Sequence, residues 1–224
     1  MTTTTAKKHR YLSQFALLFL AAMIGVSTHA EPKVKTTEGW IQGLVANDMA
    51  QFLGIPYAQA PVGDLRWQSP RPAKKRSGVL QTQTFGPRCV QRSAGDNPPV
   101  VSEDCLTLNI WAPDVSAKKQ PVMFYVHGGG FRSGSGEVPG EVLAKHGVVV
   151  VSLNYRLGPI GFFAHPALDS KAASFGLLDI VEALGWVQNN IQSFGGDPDN
   201  VTTFGVSAGG MAVSYTHLTL PTKA

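Results

Sequence analysis

Long hydrophobic runs are largely missing from this 224-residue sequence. Its one sustained apolar stretch, Phe15–Val26, is 12 residues long, whereas a helix that crosses a bilayer needs roughly twenty. Nothing later is longer or more apolar, so no later segment is expected to span a membrane, and the alternative for the first stretch is an uncleaved N-terminal anchor. Lys7, Lys8 and Arg10 precede the stretch and the small residues Ser27-Thr28-His29-Ala30 follow it, the order of a secretory signal peptide. Residues 1–30 are therefore expected to be an export signal cleaved after Ala30, leaving a secreted or periplasmic protein with no stable membrane insertion.

An excess of charge of one sign is also lacking once that segment is set aside. The whole chain has 19 basic and 15 acidic residues, net +4. Residues 1–30 hold three of the basic residues and none of the acidic ones, so 16 stand against 15 in the remainder, net +1. Lys74-Lys75-Arg76 and Lys118-Lys119 sit in polar, turn-rich stretches as solvated loop charge. With no basic stripe, nucleic acid is excluded as a partner. Cysteine is nearly absent. Cys89 and Cys105, with no histidine at ligand spacing, fall short of a metal site. In an oxidising compartment their pairing is the economical reading, with two separate buried thiols as the alternative. A ring of that size is worth about 3 kcal/mol on the chain-entropy model. Internal repeats are missing, and the only low-complexity segment is Thr2–Thr5.

What is present is a change of texture along the chain. Glu38–Val45 reads as a short hairpin arm and Phe52–Ala58 as an apolar strand ending in a proline turn. Residues 59–100, rich in Pro, Gly, Arg and Gln, read as irregular surface structure punctuated by the core-type residues Leu65, Trp67, Val79, Leu80 and Phe85. From Leu106 onward, the apolar runs Leu106–Ala112, Val122–Val126 and Val148–Leu153 read as strands buried on both faces. Gly176–Phe194 places Leu177, Ile180, Val181, Leu184, Val187 and Ile191 three and four residues apart, a helical stripe, and Val201–Phe204 is another strand. That order points to an α/β fold with a largely parallel sheet.

Gly205-Val206-Ser207-Ala208-Gly209 follows the last strand and precedes a segment that can open a helix. This is the context a nucleophile elbow needs, with glycines where side chains would clash in a strained turn. His127-Gly128-Gly129-Gly130-Phe131 follows the strand Val122–Val126. Acyl transfer develops an oxyanion that fixed N–H donors must meet, and glycines let the backbone come close. A phosphate-binding loop is the competing reading of the glycines, but Phe131-Arg132 stands where Lys and a hydroxyl would be needed.

Together with Glu103–Pro113, Asn154–Gly158 and Phe194–Val201, these motifs resemble the type-B carboxylesterase/lipase family of the α/β-hydrolase fold, from about residue 33 to 213. The resemblance implies Ser207 as nucleophile, the N–H groups of Gly129, Gly130 and Ala208 as oxyanion donors, a Cys89–Cys105 disulfide and no cofactor or metal. It also implies a small-molecule ester as the ligand. In the cholinesterase branch, a Trp in the first disulfide loop stacks on a quaternary ammonium. Val90–Asp104 contains no aromatic residue, so cation–π recognition by that route is absent and an uncharged ester is expected. Val206 stands where many members carry Glu, and Thr203 replaces an aliphatic residue. A non-catalytic adhesion protein of the same fold is the alternative, although such a protein has no need of Ser207 or the glycine loop.

In this fold the acid and the histidine follow the nucleophile. They are expected beyond residue 224, which makes residues 31–213 the N-terminal part of the hydrolase domain. Residues 214–224, with Pro221 and a Thr-rich alternation, do not read as the continuing elbow helix and resemble a foreign, adapter-derived tail. His217 is therefore not assigned as the base. Asp104 and Asp179 precede the nucleophile and are not triad acids. His127 is expected to brace the glycine loop, and His9, His29, His146 and His165 belong to the signal or the surface. N-terminal sequencing of the exported protein is expected to begin at Glu31.

Overall fold

The computed structural model describes residues 31–92, 99–168 and 174–219. The expected export signal and Pro221 lie outside them. In chain order the strands and helices are β1 (Lys33–Thr36), β2 (Gly39–Gln42), β3 (Leu44–Ala46), β4 (Met49–Pro56), β5 (Val79–Gln81), β6 (Arg88–Cys89), β7 (Val101–Ser102), β8 (Thr107–Ala112), β9 (Gln120–Val126), α1 (Glu141–Ala144), β10 (Val149–Leu153), α2 (Gly158–Gly161), α3 (Phe175–Asn190), β11 (Gly196–Gly205) and α4 (Ala208–Thr219). Among the described residues, no helix is long and apolar enough to cross a membrane.

Six strands form the main sheet in the order β11-β9-β10-β8-β4-β3. The pairings β11/β9 and β9/β10 are parallel, whereas β10/β8, β8/β4 and β4/β3 are antiparallel. The α/β-hydrolase architecture is present in part. The described sheet is mixed, and its parallel portion is confined to the three strands that lead to the motifs. β8 and β10 are buried along their whole length, as continuous apolar runs require. β9 departs from that expectation: Val122, Phe124 and Val126 are buried, but Met123 and Tyr125 are only half-buried. The cause is uneven cover. Val122, Phe124 and Val126 pack with Ile180, Leu184, Val187 and Ala212 of α3 and α4. On the opposite face, short α1 lays Ala144 beside Trp111 and Val150, so its cover centres on β8 and β10.

The N-terminal arm also differs from its sequence reading. The hairpin pairs β1 with β2, Thr36 opposite Gly39, and β3 leaves it to pair with β4 across Asn47-Asp48. Both turn residues have positive φ, 53° and 58°, as a type I′ hairpin demands. Leu65, Trp67 and Leu80 are only partly buried and Val79 and Phe85 are exposed, so the segment 59–92 lies mostly on the surface, anchored by the buried Thr82 and Cys89. α3 lies where the apolar spacing placed it, except that its final turn, Ile191–Phe194, tightens into a 3₁₀ helix. α4 corrects a second expectation: it runs through Thr219, because Ser214–Thr219 contains no proline or glycine and Ala212 anchors the helix to the core.

A buried ion pair ties the chain after β10 to α3. Arg156 donates from Nε and the terminal nitrogen to the two Asp179 carboxylate oxygens at 2.8 and 2.7 Å, and its backbone N–H adds a third bond at 3.0 Å. Burial pushes the Asp179 carboxyl up from its usual range, and the hydrogen bonds from Arg156 pull it back. Neither side chain reaches solvent. Removing one partner strands a buried charge, so Asp179→Asn is expected to cost about 3–5 kcal/mol, read as a lower urea midpoint. The double variant Arg156→Met/Asp179→Leu is expected to lose less than the sum of its single variants.

Candidate active site

Parallel pairing of β9 with β11 places Val126 opposite Gly205. Each strand ends at that point, so the next residues, His127-Gly128 on one side and Val206-Ser207 on the other, emerge side by side. The two backbones then touch. A Cβ on Gly128 would lie 2.6 Å from the Val206 carbonyl oxygen and 3.3 Å from the Ser207 Cβ, and one on Gly205 would lie 2.6 Å from the Val126 carbonyl oxygen. Any side chain at either position would force the strand ends apart.

Ser207 occupies the turn between β11 and α4 with φ of 55°, a left-handed conformation that costs a non-glycine residue of order 1 kcal/mol. The turn is closed by Gly209 N–H to Val206 O at 2.9 Å and Met211 N–H to Ser207 O at 3.2 Å. Ser207 is exposed, and its hydroxyl has no hydrogen-bond partner among the described residues. Ala208 opens α4, so its N–H lacks an intrahelical acceptor and lies where the helix dipole favours negative charge.

The glycine loop is held from several sides. Gly129 O accepts from the N–H groups of Arg132 and Ser133 at 3.0 and 3.2 Å, which leaves Gly129 and Gly130 at φ of 108° and 61°. Gln91 Nε2 donates to Gly134 O at 2.8 Å while its Oε1 accepts Gly134 N–H at 2.9 Å. Gln91 is itself positioned by the disulfide joining Cys89 to Cys105, whose Cα atoms are 5.0 Å apart. Behind the loop, Asn154 Oδ1 accepts Gly136 N–H at 2.8 Å, Asn109 Nδ2 donates to Gly136 O at 3.1 Å, and the Ser152 hydroxyl donates to the same carbonyl. These three buried polar residues were not singled out in the sequence. Their signal was polar residues within, or directly after, otherwise apolar strands.

The N–H groups of Gly129, Gly130 and Ala208 have no acceptor among the described residues. Three free donors and a free hydroxyl therefore lie at the ends of two adjacent strands. An oxygen that gains negative charge there would find N–H donors on both loops. His127 lies beneath the loop, its ring stacked on Tyr155 with centroids 4.3 Å apart and its carbonyl accepting the Tyr155 hydroxyl at 2.8 Å. His217 lies in α4, ten residues after Ser207, and its side chain falls outside the described ones. Asp104 is exposed and Asp179 is committed to Arg156. Among the described residues, no group of His, Cys, Asp and Glu is arranged to hold a metal ion.

The family model described as Carboxylesterase family matches residues 30–224. The chain belongs to the carboxylesterase family. It is 45% identical over 221 residues to a fumonisin B1 esterase of Sphingopyxis macrogoltabida, covering 91% of this chain and 41% of that protein. It is 46% identical over 192 residues to a para-nitrobenzyl esterase of Bacillus subtilis, covering 81% of this chain and 39% of the other. A solved thermophilic para-nitrobenzyl esterase superposes with a TM-score of 0.78 at 44% identity, covering 82% of this chain and 40% of that one. The chain thus spans about two fifths of the length of these relatives.

The buried histidine gives the site a pH signature. Nδ1–H of His127 donates to Gly128 O at 2.8 Å, Nε2 is buried without a partner among the described residues, and burial lowers the pKa from 6.5 to about 4. The folded state then binds fewer protons than the unfolded state between those values, so stability is lost as pH falls through that window. The stability difference between the wild-type chain and His127→Gln is expected to shrink by about 3 kcal/mol from neutral pH to below pH 4, as urea titrations at stepped pH would show.

Proposed function

We propose that these residues form the nucleophile half of a serine carboxylic ester hydrolase. The observation that carries the reading is an exposed Ser207 at positive φ, pressed against a glycine loop, with the N–H groups of Gly129, Gly130 and Ala208 lacking an acceptor among the described residues. In the proposed reaction, Ser207 Oγ adds to the ester carbonyl carbon while a general base takes its proton. The carbonyl oxygen becomes an oxyanion facing the three N–H groups. Collapse expels the alcohol, protonated by the conjugate acid of that base, and leaves an acyl-serine that water then hydrolyses.

The base is not among the described side chains. His127 is held neutral beneath the loop, and the fold's chain order places the acid and histidine after the nucleophile. The proposed protein is exported, and its substrate is a small ester without positive charge, since residues 90–104 offer no aromatic platform to an ammonium group. Residues 31–224 alone are expected to hydrolyse p-nitrophenyl acetate no faster than their own Ser207→Ala variant. A longer chain from the same gene is expected to be labelled at Ser207 by a fluorophosphonate, and Ser207→Ala is expected to lower its turnover by about 10⁴-fold or more. An unlabelled Ser207 in the longer chain would favour an adhesion protein of the same fold.

A further inference from the structure

A cavity of about 940 Å³ opens beside the glycine loop, lined by Gly130, Phe131, Leu157, Ile160, Phe162 and Phe163 among others. Its floor is apolar, with the Phe131 and Phe162 rings 5.0 Å apart. Two cations, Arg92 and Arg132, share its wall, and both are exposed. Three other arginines are paired with carboxylates: Arg66 with Glu103, Arg88 with Glu137 and Arg156 with Asp179, each within 2.7 Å. Arg92 and Arg132 have neither an ion pair nor a side-chain hydrogen bond among the described residues.

Their placement is not left to chance. Arg132 lies inside the turn closed by its own N–H to Gly129 O. Arg92 directly follows Gln91, whose amide is bonded twice to Gly134 at the other end of the same turn. The bracing that positions Gly129 and Gly130 therefore also brings to one cavity wall two arginines without an ion-pair partner among the described residues. Guanidinium groups match carboxylates in charge and in paired donor geometry, and at these exposed positions the attraction is open to screening by salt.

We infer that this cavity is a substrate subsite for an ester that carries a carboxylate away from its reacting bond, with Arg92 and Arg132 as the carboxylate-binding residues and Phe131, Phe162 and Phe163 holding the apolar segment between. This rests on the hydrolase reading, since Gly130 belongs to both the cavity and the proposed oxyanion loop. It replaces the uncharged ester expected from the sequence with an anionic one. The reacting ester group remains neutral, so no change in the acyl-transfer chemistry is required.

The test is binding of monomethyl glutarate, an anionic half-ester, against neutral dimethyl glutarate, by chemical-shift titration of the chain at low ionic strength. The half-ester is expected to bind at least about tenfold more tightly, to shift the Gly130 amide, and to lose its advantage as salt is raised. Arg92→Gln/Arg132→Gln is expected to abolish the preference while keeping the urea midpoint, because neither side chain has an ion-pair or hydrogen-bond partner among the described residues. Equal binding of the two esters, or a preference that survives in the double variant, would overturn the inference. Repeating the titration with Ser207→Ala separates the two proposals: a preference kept there, with Ser207 unlabelled in the longer chain, would leave the subsite standing and the hydrolase reading refuted.

Discussion

Everything chemical in this chain depends on one constraint, the backbone contact where β9 and β11 end together. Parallel register sets Val126 beside Gly205, and from there the two loops run against each other with no room for side chains at Gly128 or Gly205. The left-handed turn at Ser207 and the N–H groups of Gly129 and Gly130, without acceptors among the described residues, are held by it. A turn that strained persists only when its surroundings over-determine it. Here the surroundings are a strand on one side, a twelve-residue helix on the other and a second loop pressed against the turn.

The contact would be loose without the polar layer behind it. Asn109 and Ser152 occupy strand positions that hydrophobic packing would give to Val or Leu, and Asn154 directly follows β10, yet each is spent on the backbone of Gly136. A net hydrogen bond is worth about 1 kcal/mol, while an unsatisfied buried polar group costs about 1–3 kcal/mol. Such a layer is therefore tolerable only when complete, and when complete it permits one arrangement of the loop. Asn109 also accepts the Gly54 N–H at 2.9 Å, where the β4/β8 register shifts. One side chain thus satisfies a bulge on one strand and the loop on another. Gln91 extends the same bracing outward, and the disulfide keeps Gln91 in place.

Much of this was legible along the chain, because the motifs carry their reasons locally. Gly205–Gly209 needs a preceding strand and a following helix, and both can be read from apolar runs. The stripe from Leu177 to Ile191 places α3 to within a turn. Other features were not legible. The two-sided burial expected of Val122–Val126 fails at Met123 and Tyr125 because cover depends on how far α1 reaches, which periodicity does not contain. The arm was misplaced by a few residues because the turn residues Asn47 and Asp48, with positive φ, lie outside the Glu38–Val45 segment read as a hairpin. Trp67 looked like core, yet it is only partly buried, packed at a tilt against Phe163 and donating to the Pro159 carbonyl at 2.9 Å.

The sequence by itself determined the fold class, the family and the residues that can do chemistry, since each is written as a contiguous motif whose spacing has a local steric or electronic cause. Tertiary structure alone decided which residues meet. The approach of Gly128 to Ser207 joins positions 79 residues apart through strand register, the Arg156–Asp179 pair links a loop to a helix, and Arg92 reaches the wall shared with Arg132 through Gln91. Such pairings depend on the path of the backbone in space, and no local pattern of side chains encodes that path.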